Sequence, residues 1–237
     1  MKYKAVLFDL DGTLLPMDND IFTKGYFTEL AKRLSPLGIA PEELVSAVWA
    51  GTKAMVKNKG QKPNCEIFWE TFSVITDMDS TDFRRESDNF YSNEFANVKK
   101  YTGENLLAVD AVRTIREKGI KVICASNPIF PLNGQIMRLS WIGLNADDFD
   151  YISSYESESF CKPDPEYYKA LCRKAGVEPA ECLFVGNDEE EDMYAAESIG
   201  IDCYLINDWK IPSEKNPWKG RSGTFEEFYK LLKEDCL

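Results

Sequence analysis

Two acids one residue apart, Asp9 and Asp11, close a short apolar run, Ala5 to Phe8, and Gly12-Thr13 follows them. Burying like charges together is costly unless a cation or a proton compensates. A turn-capping role accounts for one such acid and poorly for both. Gly12 can adopt backbone angles denied to other residues, so the chain can turn sharply there. Three further polar stations lie downstream. Ser126-Asn127 ends the run that starts at Lys121, Lys162-Pro163-Asp164-Pro165 sits in a later loop, and Gly186-Asn187-Asp188 ends the run from Cys182, with Asp192 beyond it. Together they offer several acids, one hydroxyl and one ammonium. Hard oxygen ligands suit Mg²⁺, and the other groups suit phosphoryl oxygens.

Each residue also has a plainer reading. Ser126 before Asn127-Pro128 suits a turn. An isolated lysine such as Lys162 is by default solvated, although Pro163-Asp164-Pro165 fixes its loop and opens a helix. Glu189 to Glu191 read as a solvated face that favours a helix N-terminus.

The elements that must position these groups follow from periodicity. Residues 4–9 read as a buried strand ending in an acid. Residues 17–103 show helical periodicity, as in Glu42 to Trp49 after Pro41, and no β-branched alternation. From Glu104 onward helices and strands alternate. Helices are expected at 104–118, 132–142, from Pro165 to about Lys174, at 189–199, and after Thr224. Strands are expected at 121–126, 150–153, 182–186 and 202–206. Asp164 is placed as an N-cap with Pro165 at the first helical position, and Thr224 with Glu227 has the spacing of a capping box. Alternating strands and helices imply an α/β fold, a Rossmann-like parallel sheet covered by helices on both faces. Ligands in such sheets bind beyond the carboxyl ends of the strands, where all four stations fall.

Composition narrows the chemistry further. The 237 residues carry 28 basic and 40 acidic side chains, a net charge of −12. That balance argues against nucleic acid and against anionic lipid as partners. Residues 17–103 hold 11 basic and 13 acidic side chains, leaving 17 and 27 for the rest, so the helical block is nearly neutral. No histidine occurs, which excludes Ser-His-Asp and Cys-His catalysis and His-ligated zinc. Seven cysteines, none in C-x-x-C spacing, read as thiols of a reducing compartment. Neither a secretory signal nor a membrane span is expected, so the chain is read as cytoplasmic.

Phe8-Asp9-Leu10-Asp11-Gly12-Thr13-Leu14-Leu15 resembles the first motif of the haloacid dehalogenase superfamily of phosphotransferases. Val122 to Asn127 resembles its second motif and Lys162-Pro163-Asp164-Pro165 its third. Leu183 to Asp188 through Asp192, then Ala195-Ala196 and Gly200-Ile201, resembles its fourth. The resemblance covers 1–16 and 104–237 as the α/β core, and the 17–103 insert resembles the family's all-helical cap. It implies Mg²⁺-dependent hydrolysis of a small phosphomonoester. Asp9 would be the nucleophile that forms an aspartyl-phosphate, and Asp11 the acid–base. Lys162 would neutralise charge, and Ser126 and Asn127 would bind the phosphate. The metal would sit on Asp9, the Asp11 carbonyl and an acid of the fourth motif. Two departures stand out. Asn187 occupies the usual aspartate position, so Asp188 is taken as metal ligand with Asn187 as the alternative and Asp192 as the group orienting Lys162. Glu158 to Cys161 lacks the usual glycine before the lysine. Asp11 disfavours a dehalogenase, which does not need the second acid. Alternatives are a sugar-phosphate mutase of the same fold and a non-catalytic phospho-accepting or binding domain. Lys53, Lys57, Arg84 and Arg85 are candidates to meet an anionic substrate tail.

Overall fold

The computed structural model describes residues 2–237. Six parallel strands form one sheet in the order β3-β2-β1-β4-β5-β6. They are β1 (Ala5–Phe8), β2 (Lys121–Cys124), β3 (Tyr151–Ile152), β4 (Cys182–Gly186), β5 (Asp202–Ile206) and β6 (Ser222–Gly223). β1 is central, with Phe8 opposite Cys124 of β2 and Val185 of β4. Side chains along it alternate between faces: Val6 and Phe8 join one core cluster, Ala5 and Leu7 the other. All four are fully buried, which is why the strand reads as an unbroken apolar run.

The chain runs outward from β1 through β2 to β3, then crosses back and continues on the other side with β4. The order reverses beside β1, and a crevice opens there beyond the strand ends. α5 (Leu106–Glu117) and α9 (Phe225–Lys233) pack together on one face, with Val112, Phe228 and Leu232 in the core. α7 (Pro165–Ala175) covers the other face with Tyr167, Tyr168 and Leu171. The expected caps are present: the Asp164 side chain accepts from Glu166 N–H, and Thr224 and Glu227 form a reciprocal capping box.

Between Met17 and Gly103 the regular elements are helical: α1 (Asn19–Leu34), α2 (Pro41–Val56), α3 (Asn64–Thr76), α4 (Ser80–Ser92) and a 3₁₀ stretch Glu94–Tyr101. The two chain segments that lead in and out lie side by side. Met17 bridges Thr102, and Gly103 N–H donates to the Pro16 carbonyl at 2.7 Å. Aromatic rings fill the helical layer: Trp69 and Phe72, 5.4 Å apart, and Phe72 and Phe83, 5.1 Å apart. α6 (Leu132–Trp141) packs against α4 and ties this layer to the sheet.

Three expectations need correction. The helix expected at 189–199 is a π-helical turn, Glu189–Tyr194, followed by the short α8, Ala195–Glu197. A π turn accommodates an extra residue without breaking the helix, and the run of three glutamates before Asp192 supplies it. β6 was not foreseen, because Ser222-Gly223 carries no apolar signal; it pairs with Leu205 and Ile206. The strand at Asp150–Ser153 shrinks to two residues, since Asp150 Oδ2 instead accepts from Val122 N–H at 2.8 Å. Among the described residues no helix is long and apolar enough to cross a membrane.

Candidate active site

The four stations converge at the crevice. Asp9 follows β1 with its backbone N–H donating to the Val185 carbonyl, 2.9 Å away, and it lines the cavity. Its carboxylate is buried and fully engaged. Oδ1 accepts from Lys162 Nζ at 2.7 Å and Oδ2 from Thr13 Oγ1 at 3.2 Å. Thr13 Oγ1 also faces Asn187 Oδ1 at 3.1 Å and so joins the first motif to the fourth. Gly12 holds φ at +83°, and a Cβ there would collide with the Asn187 amide. Both constraints select glycine.

Lys162 is 1 % exposed, far from the solvated default. It reaches Asp9 and, at 2.6 Å, Asp192 Oδ1. Asp192 Oδ2 accepts from the backbone N–H groups of Asn187 and Asp188, both at 3.0 Å. One buried acid therefore aims the ammonium and closes the turn after β4. Burial pulls the Lys162 ammonium down, but Asp192 and Asp9 outweigh it and hold its pKa well above that of an ordinary lysine. Burial pushes the Asp9 carboxyl up to about 7; Lys162 opposes this, while Asp192 and Asp11 add to it.

Ser126 is buried on the cavity wall, and its carbonyl accepts from Tyr167 Oη at 2.8 Å and Ser153 Oγ at 2.6 Å. The Asn127 side chain accepts from Lys162 N–H at 3.3 Å and donates to Glu191 at 3.2 Å. It thus fastens the lysine loop and the π turn to the end of β2. The structure corrects the solvated reading for Glu189 and Glu191, whereas Glu190 is exposed as expected. Glu189 is buried and accepts from Ser213 N–H, while Glu191 faces the cavity. Burial pushes Glu191 up to about 7, opposed by Lys162 and reinforced by Asp188 and Asp192.

Asn187 and Asp188 both line the cavity. The Asn187 amide donates through Nδ2 to the Trp209 carbonyl at 2.6 Å, and its Oδ1 competes with Asp9 Oδ2 for the single Thr13 hydroxyl proton. Asp188 caps the π turn through Oδ1, which accepts from Glu190 and Glu191 N–H. Its carboxyl is raised, mainly by burial.

Arg138 is the residue that sequence reasoning missed. Its side chain is fully buried on α6, and its guanidinium meets Asp11 Oδ2 and Gln135 Oε1. It lies 4.2 Å from the centre of the Phe130 ring. Asp11 Oδ1 remains buried without a hydrogen-bond partner. The available signal was an arginine in register with Gln135 and Leu139 on the inward face of a helix directly after the second motif.

The site is acid-rich. Asp9, Asp11, Asp188, Glu191 and Asp192 meet only Lys162 and Arg138. That excess, the raised carboxyls of Asp9 and Asp188, and the orphaned oxygen of Asp11 fit a hard divalent cation. Among the described residues no three acid or thiol side chains form a metal cluster by themselves. The expected ligand set differs from such a cluster, because it includes a backbone carbonyl.

A family model described as haloacid dehalogenase-like hydrolase matches residues 3–200. The chain belongs to that family. A phosphoglycolate phosphatase of Haemophilus influenzae is 28% identical over 241 residues, 98% of this chain and 97% of that protein. Another, from Nitrosospira multiformis, is 25% identical over 213 residues, covering 86% and 82%. The crystal structure of a HAD phosphatase from Thermococcus onnurineus superposes with a TM-score of 0.61 at 23% identity, covering 97% of each chain. A 2-haloacid dehalogenase from Pseudomonas syringae gives 0.64 at 17% identity, covering 98% and 99%. These structural likenesses show the haloacid dehalogenase fold, shared by phosphatases and dehalogenases. With its relatives named as phosphatases, this chain is a phosphatase-like member of the haloacid dehalogenase-like hydrolases.

Proposed function

We propose that the protein hydrolyses a small phosphomonoester in a Mg²⁺-dependent reaction through an aspartyl-phosphate on Asp9. The observation that carries this reading is the buried Asp9–Lys162–Asp192 chain beside Asp11 at the sheet's crevice. A carboxylate oxygen of Asp9 attacks phosphorus, and the bond from phosphorus to the substrate's alcohol oxygen breaks. Asp11 gives that oxygen its proton. Water then attacks the acyl phosphate, Asp11 takes the water's proton, and the bond from phosphorus to Asp9 breaks, which frees phosphate. Arg138 fixes one oxygen of Asp11 and leaves the unpaired Oδ1 for the transfer. Lys162 neutralises charge during attack, and Ser126 and the Asn127 backbone amide hold phosphoryl oxygens.

Bound Mg²⁺ would supply further charge neutralisation for the phosphoryl group. Asp9, the Asp11 carbonyl and Asp188 would hold it. Asp188 has one carboxylate oxygen outside its cap and carries a negative charge that the Asn187 amide lacks, which supports Asp188 over Asn187. In the same reading, residues 1–16 and 104–237 are the catalytic core and 17–103 a cap that excludes water and selects substrate.

Phosphate release from a panel of phosphomonoesters, with Mg²⁺ or EDTA, tests this for the wild type and Asp9→Asn. Metal-dependent release that the variant loses is the expected result. No release by the wild type across the panel would overturn it.

A further inference from the structure

One continuous cavity of about 400 Å³ runs from Asp9 and Lys162 into the helical layer, within the size range of small-ligand sites. Its two ends differ chemically. Every Asp, Glu and Lys on its wall belongs to the sheet side, and the wall has no arginine. Residues 17–103 contribute no charged side chain to it, only aromatic, aliphatic and neutral polar ones. The phenol groups of Tyr26 and Tyr91, both on the cavity wall, bond each other at 2.7 Å, which uses one of their two hydroxyl protons. Phe130, on the loop after Ser126, lies 5.6 Å from Tyr26 and 6.2 Å from Tyr91 and joins the two ends. Trp49 and Phe27, 5.8 Å apart, continue the apolar wall, and Trp49 is 52 % exposed.

No cation on this wall is free for a second anion. Lys162 is the only one, and it is engaged with Asp9 and Asp192. Arg138 stands behind Phe130 and is committed to Asp11. The four basic residues expected to meet an anionic tail are absent from the wall; Arg85 pairs with Asp82 and Glu86, and Arg84 stacks over Trp69 at 5.5 Å. A carboxylate on the leaving group would therefore be buried without a free cation, with only neutral polar groups such as Asn19, Thr23 and Ser87 to meet it, which is unfavourable. An apolar or aromatic body would instead find rings at contact distance.

We propose that the leaving group is an uncharged alcohol with an aromatic or branched apolar body, rather than a hydroxy-carboxylate such as glycolate. The proposal rests on the phosphatase reading above and specifies its substrate class. Benzyl phosphate and 2-phosphoglycolate test it, because both release alkyl alcohols of similar acidity, so intrinsic reactivity does not decide the outcome. With Mg²⁺ present, kcat/KM for benzyl phosphate should exceed that for 2-phosphoglycolate by about 100-fold. Trp49→Ala should lower the benzyl value about tenfold. Equal or better turnover of 2-phosphoglycolate would overturn the substrate class and leave the phosphatase reading intact. If neither ester is hydrolysed, release across the wider panel decides the phosphatase reading, and binding of non-reacting analogues decides the class separately. Benzylphosphonate bound more tightly than phosphonoacetate sustains the apolar site; equal or reversed affinities overturn it.

Discussion

The sheet end and the helical layer build opposite walls of one cavity by opposite means. At the sheet end, Asp9, Lys162 and Asp192 are buried charges, each held by partners within 2.7 Å. Buried ions are unfavourable unless paired, so this wall holds its groups in one arrangement suited to a single chemical step. The helical wall contributes no Asp, Glu, Lys or Arg and packs ring against ring. Dispersion and apolar burial are less directional, so that wall can change what it accepts without disturbing the reacting groups. On the proposed function, the chemistry and the choice of substrate would rest on separate segments of chain, joined where Met17 meets Thr102.

The comparison breaks most sharply at Asp9, the proposed nucleophile. Asp9→Asn should lower phosphate release by about 10⁴-fold or more with little change in the circular dichroism spectrum; retained turnover would remove Asp9 from the chemistry. Chelation with EDTA should lower turnover by about 10³-fold, and added Mg²⁺ should restore it. Metal-independent activity would mean that the acid excess is balanced by protons instead. Arg138→Met should lower kcat about 100-fold with KM nearly unchanged, and should cost about 3 kcal/mol of stability in urea melts. An unchanged kcat with the same loss of stability would make Arg138 purely structural. The smallest effect belongs far from either wall. Thr224→Ala removes the cap of α9 and should cost about 1 kcal/mol with turnover unaltered.

Much of the sheet was legible in the chain. β4 and β5 match the expected 182–186 and 202–206, because strands buried on both faces read as apolar runs. Caps at Asp164 and Thr224 were legible because they depend on side chains only a few residues away. What escaped depends on distant partners. Glu189 is buried with Ser213 N–H across from it, and Glu191 is half-buried against Asn127. The π turn is visible only once Asp192 must reach Lys162 while Asp188 caps the turn.

By itself the sequence determined the chemical inventory: two acids at the end of a buried strand, a lysine before Pro163, a hydroxyl at Ser126, acids after Gly186, and no imidazole anywhere. Motif order and local propensity are properties of neighbouring residues, so they survive in a linear reading. Only the tertiary structure decided that Arg138 would hold Asp11 across 127 positions of chain, and that Lys162 would be divided between Asp9 and Asp192. It also decided that no charge of the helical layer would face the cavity. Pairing and burial are set by which surfaces come together when the sheet closes, and no local pattern encodes them.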